Sequence, residues 1–441
     1  MCAYRGYRCG RWRSSRLVEL VCSRRAEQTF YNCKLAAGSD GPAVVAGGDR
    51  TEVGGEDCQL SGCEGAYACE GAQVTLRRCA TRDCVSCGYS VDDRSVLTLH
   101  NCTSTGDDVG FFCLGHLHAQ DCELRRFCTG ADVISEQGIG GVTCKLVRCR
   151  FVDPKCTATE GGLSVDHSGV LVRGKGAQVR MHECTVSGTG GHCVWVTRQA
   201  KATLEGCQLS HSRTDCVRCA EGSELTLDGC NVSKNDGNGV YCHQEGRVFA
   251  RRVHSCGNKQ AGFAVFGNGS MTLNGCSSDR DGMGCLAYGA PTPEVQGTAH
   301  VALSGVLVRR SSGDGFLFDS DAKGCMKHCV ALQCGDCGML VEASEPGGPK
   351  SSGTAPRLSV CDSTFQRCSD GGVAVEWRCA VSMQNVLCSR YGDCAFDCLG
   401  AGSRLALTRC EVEGSGEPYR CEDGGQLHCA ECRPAGPCIQ D

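Results

Sequence analysis

Cysteine offers the most potential chemistry in this sequence, because it accounts for 42 of the 441 residues. Two Cys-x-x-Cys pairs would ordinarily indicate a zinc site, and the sequence has four: Cys84/Cys87, Cys216/Cys219, Cys334/Cys337 and Cys429/Cys432. Residues i and i+3 of an extended strand point to opposite faces, however, so such a pair cannot bind one ion together. We therefore expect no metal site. The argument against a metal site is least firm for a group of residues near the C-terminus: Cys421, His428, Cys429, Cys432 and Cys438.

Aspartates form a second recurring set, each placed shortly before a short apolar segment: Asp215, Asp236, Asp281, Asp314, Asp336, Asp370 and Asp393. Aspartate and asparagine satisfy tight turns and tolerate positive φ, so a structural role is the simpler interpretation. The functional interpretation is that stacked carboxylates bind calcium or act as acid and base on a glycan. Asp215 and Asp236 are the candidates for such catalysis, and calcium is the only cofactor that the pattern suggests.

A third set consists of large side chains spaced 23 residues apart: Trp195, Arg218 and Tyr241. Each of the three comes directly after the first apolar residue of its segment, so alternation predicts that it faces solvent. The same alternation places further residues on this face, and we call the whole set the outward stripe: Trp195, Arg218, Tyr241, Ala264, Leu286, Leu317, Leu340 and Ala374. Two aromatic rings around a guanidinium group suit stacking against sugar rings or anchoring a peptide. The competing interpretation is ordinary packing between neighbouring surface residues. As a binding site, the set would include Asp215 and Asp236 at the turns beside it.

The elements that position these residues follow from an internal repeat. The pattern apolar-x-apolar-x-x-Cys recurs along the chain, with seven clear copies ending at Cys79, Cys102, Cys184, Cys207, Cys230, Cys276 and Cys410. A Gly-apolar-x-apolar segment follows in many units, as at Gly239 and Gly262, and Cys-x-apolar makes a third short strand. Three strands and three turns in a unit of roughly 23 residues leave no room for a helix. A leucine-rich repeat shares part of the pattern, but the leucine-rich arc that it requires is missing.

The repeat resembles those of right-handed parallel β-helix proteins of the pectin-lyase-like superfamily, including carbohydrate-binding and sugar-hydrolase types. This resemblance implies an all-β fold: a single-stranded right-handed parallel β-helix solenoid of about 16 coils with three short strands per coil. We predict that the solenoid spans residues 26–432, with a basic capping or disordered segment at 1–25 and a tail at 433–441. In the resembled family the repeated position often holds asparagine, and here it holds cysteine.

The repeated cysteines are expected to stack inside the solenoid as a column of small buried groups. Coils stack about 4.8 Å apart, so parallel side chains in register keep their Cβ atoms farther apart than a disulfide prefers. We therefore expect reduced thiols. Three longer units carry extra residues at 166–176, 289–299 and 342–357, which are expected to project from one edge of the outward stripe and wall a groove.

Composition gives few further constraints. The formal net charge is −5 and the pI is near 6.2, so no nucleic acid or anionic membrane partner is expected. No apolar run reaches the ~18 residues of a membrane span, and no secretory signal is recognisable, so an intracellular location is expected. We expect a monomer or a component of a larger assembly.

Two functions fit these observations. The first is a non-catalytic binding or scaffold module that recognises a glycan or a protein segment along the outward strand face. The alternative is a polysaccharide lyase or glycoside hydrolase that uses the turn aspartates. The ordered motif set of polygalacturonases is missing from the sequence, because it has no Gly-His-Gly; Gly190-Gly191-His192 is a different arrangement. The sequence therefore favours the binding module and leaves enzymatic activity open.

Overall fold

The computed structural model describes residues 11–13, 20–23, 27–35, 42–62, 65–84, 86–135, 141–155, 167–292, 295–343 and 355–434. Strands and turns make up this part of the chain, and each complete coil contributes one strand to each of three parallel sheets, A, B and C. Among the described residues no helix has the length and apolarity needed to cross a bilayer. The chain divides into two compact units, residues 1–214 and 215–441.

The first unit has three parallel sheets. Its sheet A strands are Arg11–Arg13, Glu27–Tyr31, Glu52–Glu56, Gln73–Arg77, Val96–His100, His116–Gln120, Val142–Val147, Ala177–His182 and Lys201–Glu205. Its sheet B strands are Lys34–Leu35, Gln59–Ser61, Ala80–Arg82, Thr103–Thr105, Glu123–Arg125, Arg150–Val152, Thr185–Ser187 and Gln208–Ser210. Its sheet C strands are Leu20–Ser23, Val44–Gly47, Ala66–Cys69, Cys87–Val91, Val109–Cys113, Thr129–Ile134, Val170–Arg173 and Val194–Thr197.

The second unit has the same architecture. Its sheet A strands are Glu224–Asp228, Arg247–Arg251, Ser270–Asn274, His300–Ser304, Lys323–Lys327, Arg357–Cys361, Ala380–Gln384, Arg404–Thr408 and Gln426–Ala430. Its sheet B strands are Asn231–Ser233, His254–Cys256, Ser277–Asp279, Leu307–Arg309, Val330–Leu332, Thr364–Gln366, Leu387–Ser389 and Glu411–Glu413. Its sheet C strands are Val217–Cys219, Val240–Cys242, Ala261–Phe266, Met283–Tyr288, Phe316–Asp319, Met339–Glu342, Gly371–Glu376, Cys394–Leu399 and Glu417–Glu422. The predicted parallel β-solenoid with three strands per coil is thus confirmed within each unit.

The turn from sheet A to sheet B explains the repeated cysteine. One residue there adopts a left-handed conformation, as Arg78 does with φ of 50° and His328 with φ of 54°. This single residue turns the chain, and the next side chain then points inward. Cys79 and Cys329, which follow these two residues, are 1 % and 0 % exposed. The prediction that the repeated cysteines lie inside the solenoid is therefore confirmed.

The glycine before many sheet C strands is required by close packing. A Cβ atom on Gly262 would lie 2.6 Å from both Ser278 Oγ and Asp281 Oδ2, two buried polar atoms of the next coil. Gly88 is equally confined, because its Cβ would lie 2.4 Å from Asp107 Oδ2. Both carboxylates are fixed by buried hydroxyl groups, so neither could move aside cheaply.

The structure changes the interpretation of the three extra segments. Segment 166–176 is not an insertion after a sheet C strand, because it contains the sheet C strand Val170–Arg173. Gly169 precedes this strand and completes the Gly-apolar-x-apolar signal. It lies 20 residues after Cys149, however, whereas Gly239 lies 9 residues after Cys230, and so the strand was missed. Within 289–299, the strands Ala290–Thr292 and Val295–Gly297 pair antiparallel as a hairpin. Most of 342–357 lies outside the described residues.

Candidate functional site

A buried hydrogen-bond network lies at the turns that precede the sheet C strands of the second unit. Asp281 Oδ1 accepts hydrogen bonds from Asn258 N at 2.7 Å and Asn258 Nδ2 at 2.9 Å, and Asp281 Oδ2 accepts one from Ser278 Oγ at 2.6 Å. One coil earlier, Asn258 Oδ1 accepts hydrogen bonds from Asn235 N at 3.1 Å and Asn235 Nδ2 at 2.6 Å. Because these groups bridge neighbouring coils, they hold the turns before the sheet C strands in a fixed position.

Arg218 and Tyr241, two of the predicted site residues, meet on neighbouring strands of sheet C. The guanidinium carbon of Arg218 lies 5.5 Å from the centre of the Tyr241 ring, and Arg218 Nε donates a hydrogen bond to His243 Nε2 at 3.0 Å. Both side chains are half-buried. Burial is the main cause that raises the pKa of Tyr241, which therefore stays a neutral phenol at neutral pH. The structure thus brings these two residues into direct contact.

Trp195 lies on strand Val194–Thr197 of the first unit, where its neighbour in register is Leu171. Its half-buried indole ring makes an edge-to-face contact with His192, with the ring centres 5.5 Å apart. The outward direction predicted for this side chain is compatible with its partial exposure.

The two predicted catalytic aspartates stabilise turns. Asp215 Oδ1 accepts hydrogen bonds from Asn238 N at 2.9 Å and Asn238 Nδ2 at 2.8 Å. Asp236 is exposed and forms an ion pair with Lys259, whose Nζ lies 2.8 Å from Asp236 Oδ1. These contacts correspond to the structural role that the turn pattern predicts, and a catalytic role stays a prediction.

The outward stripe predicted along sheet C is only partly on the surface. Ala264, Leu317 and Ala374 were expected to face solvent, and the structure buries them to 0 %, 8 % and 8 % exposure. Each lies between side chains from the coil before and the coil after, as Ala264 does between Tyr241 and Leu286. Their short or apolar side chains are covered by these neighbours, and the residues two positions further along these strands are half-buried.

This second outward position was not singled out from the sequence, although it carries aromatic and acidic side chains on successive coils of sheet C in the second unit. Its consecutive residues, which we call the site column, are His243, Phe266, Tyr288, Asp319, Glu342 and Glu376. The signal that could have revealed them is the length of the apolar segments. Several sheet C strands run to six residues, so alternation places a second outward side chain on each.

The first half of the site column forms a run of aromatic contacts together with the adjacent ring of Tyr241. The Tyr241 ring stacks on His243 with centres 4.8 Å apart and makes an edge contact with Phe266 at 5.3 Å. Phe266 in turn contacts Tyr288 at 5.4 Å. All four rings are half-buried. They therefore present fixed, partly apolar faces, which is the kind of surface on which planar apolar faces of ligands stack.

The second half of the site column is acidic. Asp319 follows Tyr288 in register, and Glu342 and Glu376 continue the column on the next two coils. The turns leading into these strands add Asp314 and, on the surface, the exposed carboxylates of Asp336 and Asp370. Aromatic rings and carboxylates are thus arranged end to end along one face of the second unit.

Asp314 is the carboxyl group with the most altered acidity in this region. It is 5 % exposed, and its Oδ1 accepts a hydrogen bond from Cys337 N at 3.0 Å. Burial and then the negative charges of Asp336, Asp370 and Glu376 raise the pKa of Asp314 to about 6. Burial, followed by the charge of Asp397, also raises the pKa of Glu376. Asp314 can therefore hold its proton well above the usual pH range of an aspartic acid.

Sheet A of the second unit offers a different surface. A groove of about 880 Å³ lies on this sheet, and its lining includes Arg357, Arg404, Ser359, Ser382 and Ala406. Its lining has neither carboxylates nor large aromatic rings. Among the described residues, no group of three or more histidine, cysteine or acidic side chains is arranged to hold a metal ion, and Cys438 lies outside them. The site column is therefore the better candidate for chemistry.

Comparison with known proteins agrees with the fold. Residues 168–297 match the family described as the right handed beta helix region, so the resemblance to right-handed parallel β-helix proteins is confirmed. No curated relative matches the sequence.

Three solved structures are similar to this chain at low sequence identity. A periplasmic alginate epimerase, AlgG, is 9 % identical with a TM-score of 0.42, over 81 % of this chain and 76 % of its own. The catalytic unit of a GH87 alpha-1,3-glucanase from Streptomyces thermodiastaticus strain HF3-3 is 12 % identical with a TM-score of 0.48, over 84 % and 65 %. The pectate lyase Pel9A is 12 % identical with a TM-score of 0.36, over 79 % and 74 %. By their names these are polysaccharide-acting enzymes, and the likeness to this chain concerns the fold alone.

Proposed function

We propose that the site column binds a neutral polysaccharide that lies across successive coils of the second unit. The observation that carries the proposal is the continuous row of rings formed by Tyr241, His243, Phe266 and Tyr288. Sugar rings have apolar faces that stack on aromatic side chains, and their hydroxyl groups donate hydrogen bonds to carboxylates. The carboxylates of Asp319 and Glu342 are in register with this row and can accept hydrogen bonds from sugar hydroxyl groups.

The charge of the site column favours a neutral chain over an acidic one. Asp319, Glu342 and Glu376 lie along the column, and the exposed carboxylates of Asp336 and Asp370 lie at the turns beside it. A polymer of uronic acids would bring its own carboxylates close to these groups, and like charges in contact repel. Neutral glucans and related chains are therefore favoured as ligands over pectic and alginate-type polysaccharides.

The binding test compares two aromatic residues of the site column with one aromatic residue on sheet A. We expect Tyr288→Ala and Phe266→Ala each to weaken binding of a neutral polysaccharide about tenfold or more, as expected for an aromatic anchor. Affinity electrophoresis in gels that contain single polysaccharides gives the measurement, with polygalacturonate and alginate gels as the acidic comparison. Phe249→Ala is the matched control, because Phe249 is an aromatic residue on sheet A with 50 % exposure.

The outcomes of this test are distinct. Retardation by neutral gels that both site-column variants lose and the control keeps supports the proposal. Unchanged retardation in the Phe266 and Tyr288 variants would place the ligand elsewhere, and loss in Trp195→Ala alone would move it to the first unit. Retardation only by the acidic gels would overturn the assignment to a neutral chain.

A second candidate function, glycoside hydrolysis, rests on Asp314. A glycosidase needs one carboxylic acid that stays protonated near neutral pH and a second carboxylate that is ionised. The raised pKa of Asp314 suits the acid, and the neighbouring exposed carboxylate of Asp336 suits the ionised partner. Both residues lie at turns that lead into the acidic half of the site column.

Hydrolysis is tested by the release of reducing ends from each polysaccharide that the protein retains. We expect Asp314→Asn to lower that rate about 100-fold, the usual contribution of a general acid, while binding to the gel is kept. Asp423→Asn is the control, because Asp423 is an exposed carboxylate at the turn after the last sheet C strand. If the wild-type protein releases no reducing ends from any retained chain, the hydrolytic function is wrong and the binding function still stands.

A further inference from the structure

Positive charge is concentrated on the outward face of sheet A in the second unit. Six successive strands of this sheet, from His300–Ser304 to Gln426–Ala430, contain no aspartate or glutamate. Their outward positions hold four cationic side chains: Lys323, Lys327, Arg357 and Arg404. The chain as a whole has a formal net charge of −5, and sheet C of the same unit is acidic at Asp319, Glu342 and Glu376. Opposite charges are therefore segregated on two sheets of the second unit.

The two arginines of this face have no acidic partner among the described residues. Other arginines of the second unit are neutralised, as Arg310 is by Asp279 and Arg420 by Asp397. Arg357 and Arg404 are exposed, and no described carboxylate forms an ion pair with either of them. Their positive charge can therefore act on a ligand from outside the chain.

Both arginines line the groove on sheet A, and small side chains lie between them. Arg357, Ala380 and Arg404 occupy one register position on three successive coils. Coils stack about 4.8 Å apart, so the Cα atoms of the two arginines are about 9.6 Å apart. The next outward position on the same coils holds Ser359, Ser382 and Ala406, which also line the groove. Because these side chains are short, a polymer backbone can approach the sheet between the two guanidinium groups.

The composition of the lining favours one class of anionic polymer. Sugar rings and nucleic-acid bases pack on aromatic side chains, and the lining of this groove has no large aromatic ring. An acidic peptide needs none, because arginines bind its carboxylates and polar side chains bind its amide groups. Ser359, Ser382 and Gln426 supply hydroxyl and amide groups for the latter purpose. We propose that the sheet A groove binds an extended acidic segment of a partner protein.

The extent of the groove gives the length of the segment. Its lining runs over five successive sheet A strands, from Gly324 to His428. Four coil spacings amount to about 19 Å, which an extended peptide covers with about six residues at about 3.3 Å each. Successive side chains of an extended peptide point to opposite sides. A segment with an acidic residue at every second position therefore turns about three carboxylates toward Lys323, Arg357 and Arg404.

The test measures the binding of a fluorescently labelled peptide of alternating glutamate and serine, about ten residues long so that it exceeds the span of the groove. The full-length protein is titrated into the peptide, and fluorescence anisotropy gives the affinity. We expect Arg357→Gln combined with Arg404→Gln to weaken binding about tenfold, because two exposed ion pairs are lost. Binding by the wild type is expected to weaken as NaCl is added, because salt screens exposed charges.

The matched control is Arg247→Gln combined with Lys234→Gln. It removes two positive charges at exposed positions of the same unit that do not line the groove, and it is expected to bind the peptide like the wild type. The groove variant is expected to keep its retardation in gels of neutral polysaccharide, because the site column is unchanged. Its loss of peptide binding therefore tests this proposal separately from the proposed function.

Three results would overturn the proposal. Equal losses in the groove variant and the control would mean that the peptide responds to the overall charge of the protein. Equal binding of a peptide in which glutamine replaces glutamate would mean that carboxylates are not recognised. If the wild type does not bind the acidic peptide, the class of ligand is wrong, and binding of labelled polygalacturonate or oligothymidylate in its place would assign the face to another polymer.

Discussion

Replacing Cys230 by aspartate is expected to lower the free energy of unfolding by roughly 3–5 kcal/mol, the cost of an uncompensated buried charge. Cys230 is 1 % exposed, and its sulfur lies 3.5 Å from the carbonyl oxygen of Asp228, which would repel a carboxylate. A carboxylate at this position would have to stay ionised without a partner or take up a proton. The midpoint of urea denaturation, followed by far-UV circular dichroism, measures the loss.

Two controls distinguish the effect of burying a charge from the effect of losing the thiol. Cys325→Asp introduces the same carboxylate at an exposed position on sheet A, so its midpoint is expected to stay near that of the parent. Cys230→Val keeps the position apolar, as Val253 and Val306 do at equivalent positions, and is also expected to be mild. A Cys230→Asp variant that is as stable as the parent would mean that this position is not inside the solenoid.

Stability is expected to fall as the pH rises from about 4 to about 7, and Asp314 is expected to be a main cause. Its pKa is raised from 3.8 to about 6 in the folded protein. A carboxyl group with a raised folded pKa favours folding while it is protonated. That contribution is fully present below the unfolded pKa and is lost as the pH rises through the folded pKa. At about 1.4 kcal/mol per pKa unit, the shift corresponds to roughly 3 kcal/mol.

The measurement is the difference in urea midpoint between the wild type and Asp314→Asn at several pH values. The variant keeps an oxygen that can accept the hydrogen bond from Cys337 N but cannot ionise. Relative to the wild type, it is therefore expected to gain stability between pH 4 and 7. Asp336→Asn, at an exposed carboxylate, serves as the comparison. If the urea midpoints of the wild type and Asp314→Asn change by the same amount with pH, Asp314 does not cause the loss of stability.

The repeat made most of the fold predictable. Strict spacing and alternation determine which residues of a strand face inward, so the burial of Cys230 and of the apolar residues around it follows from the sequence. Val170–Arg173 was missed although Gly169 supplies the expected signal, because its unit is longer than the 23 residues of the regular coils and the segment comes late in it. Pairing with the sheet C strands of the neighbouring coils fixes its place in the repeat, and a fixed sequence spacing does not record that contribution.

The candidate site was less predictable, because side-chain contacts between coils depend on which residues share a register. The contact of Arg218 with Tyr241 follows from their spacing of 23 residues. The burial of Leu317 and Ala374 does not, because it depends on which side chains share their register on adjacent coils, as Leu340 does with both. The raised pKa of Asp314 also depends on contacts between coils. It requires burial together with the charges of Asp336 and Asp370, which are 22 and 56 residues away in sequence.

The equal length of the coils has a consequence for how such a chain can change over evolutionary time. From Cys230 to Cys276 each coil has 23 residues, and the sheet A strands begin and end at the same points of the repeat. A duplication or deletion of one such coil would leave every inward residue inward and every turn in place, because neighbouring coils already match in register. Recombination between repeats can therefore lengthen or shorten the surface of sheet C one coil at a time, adding or removing one outward position per event.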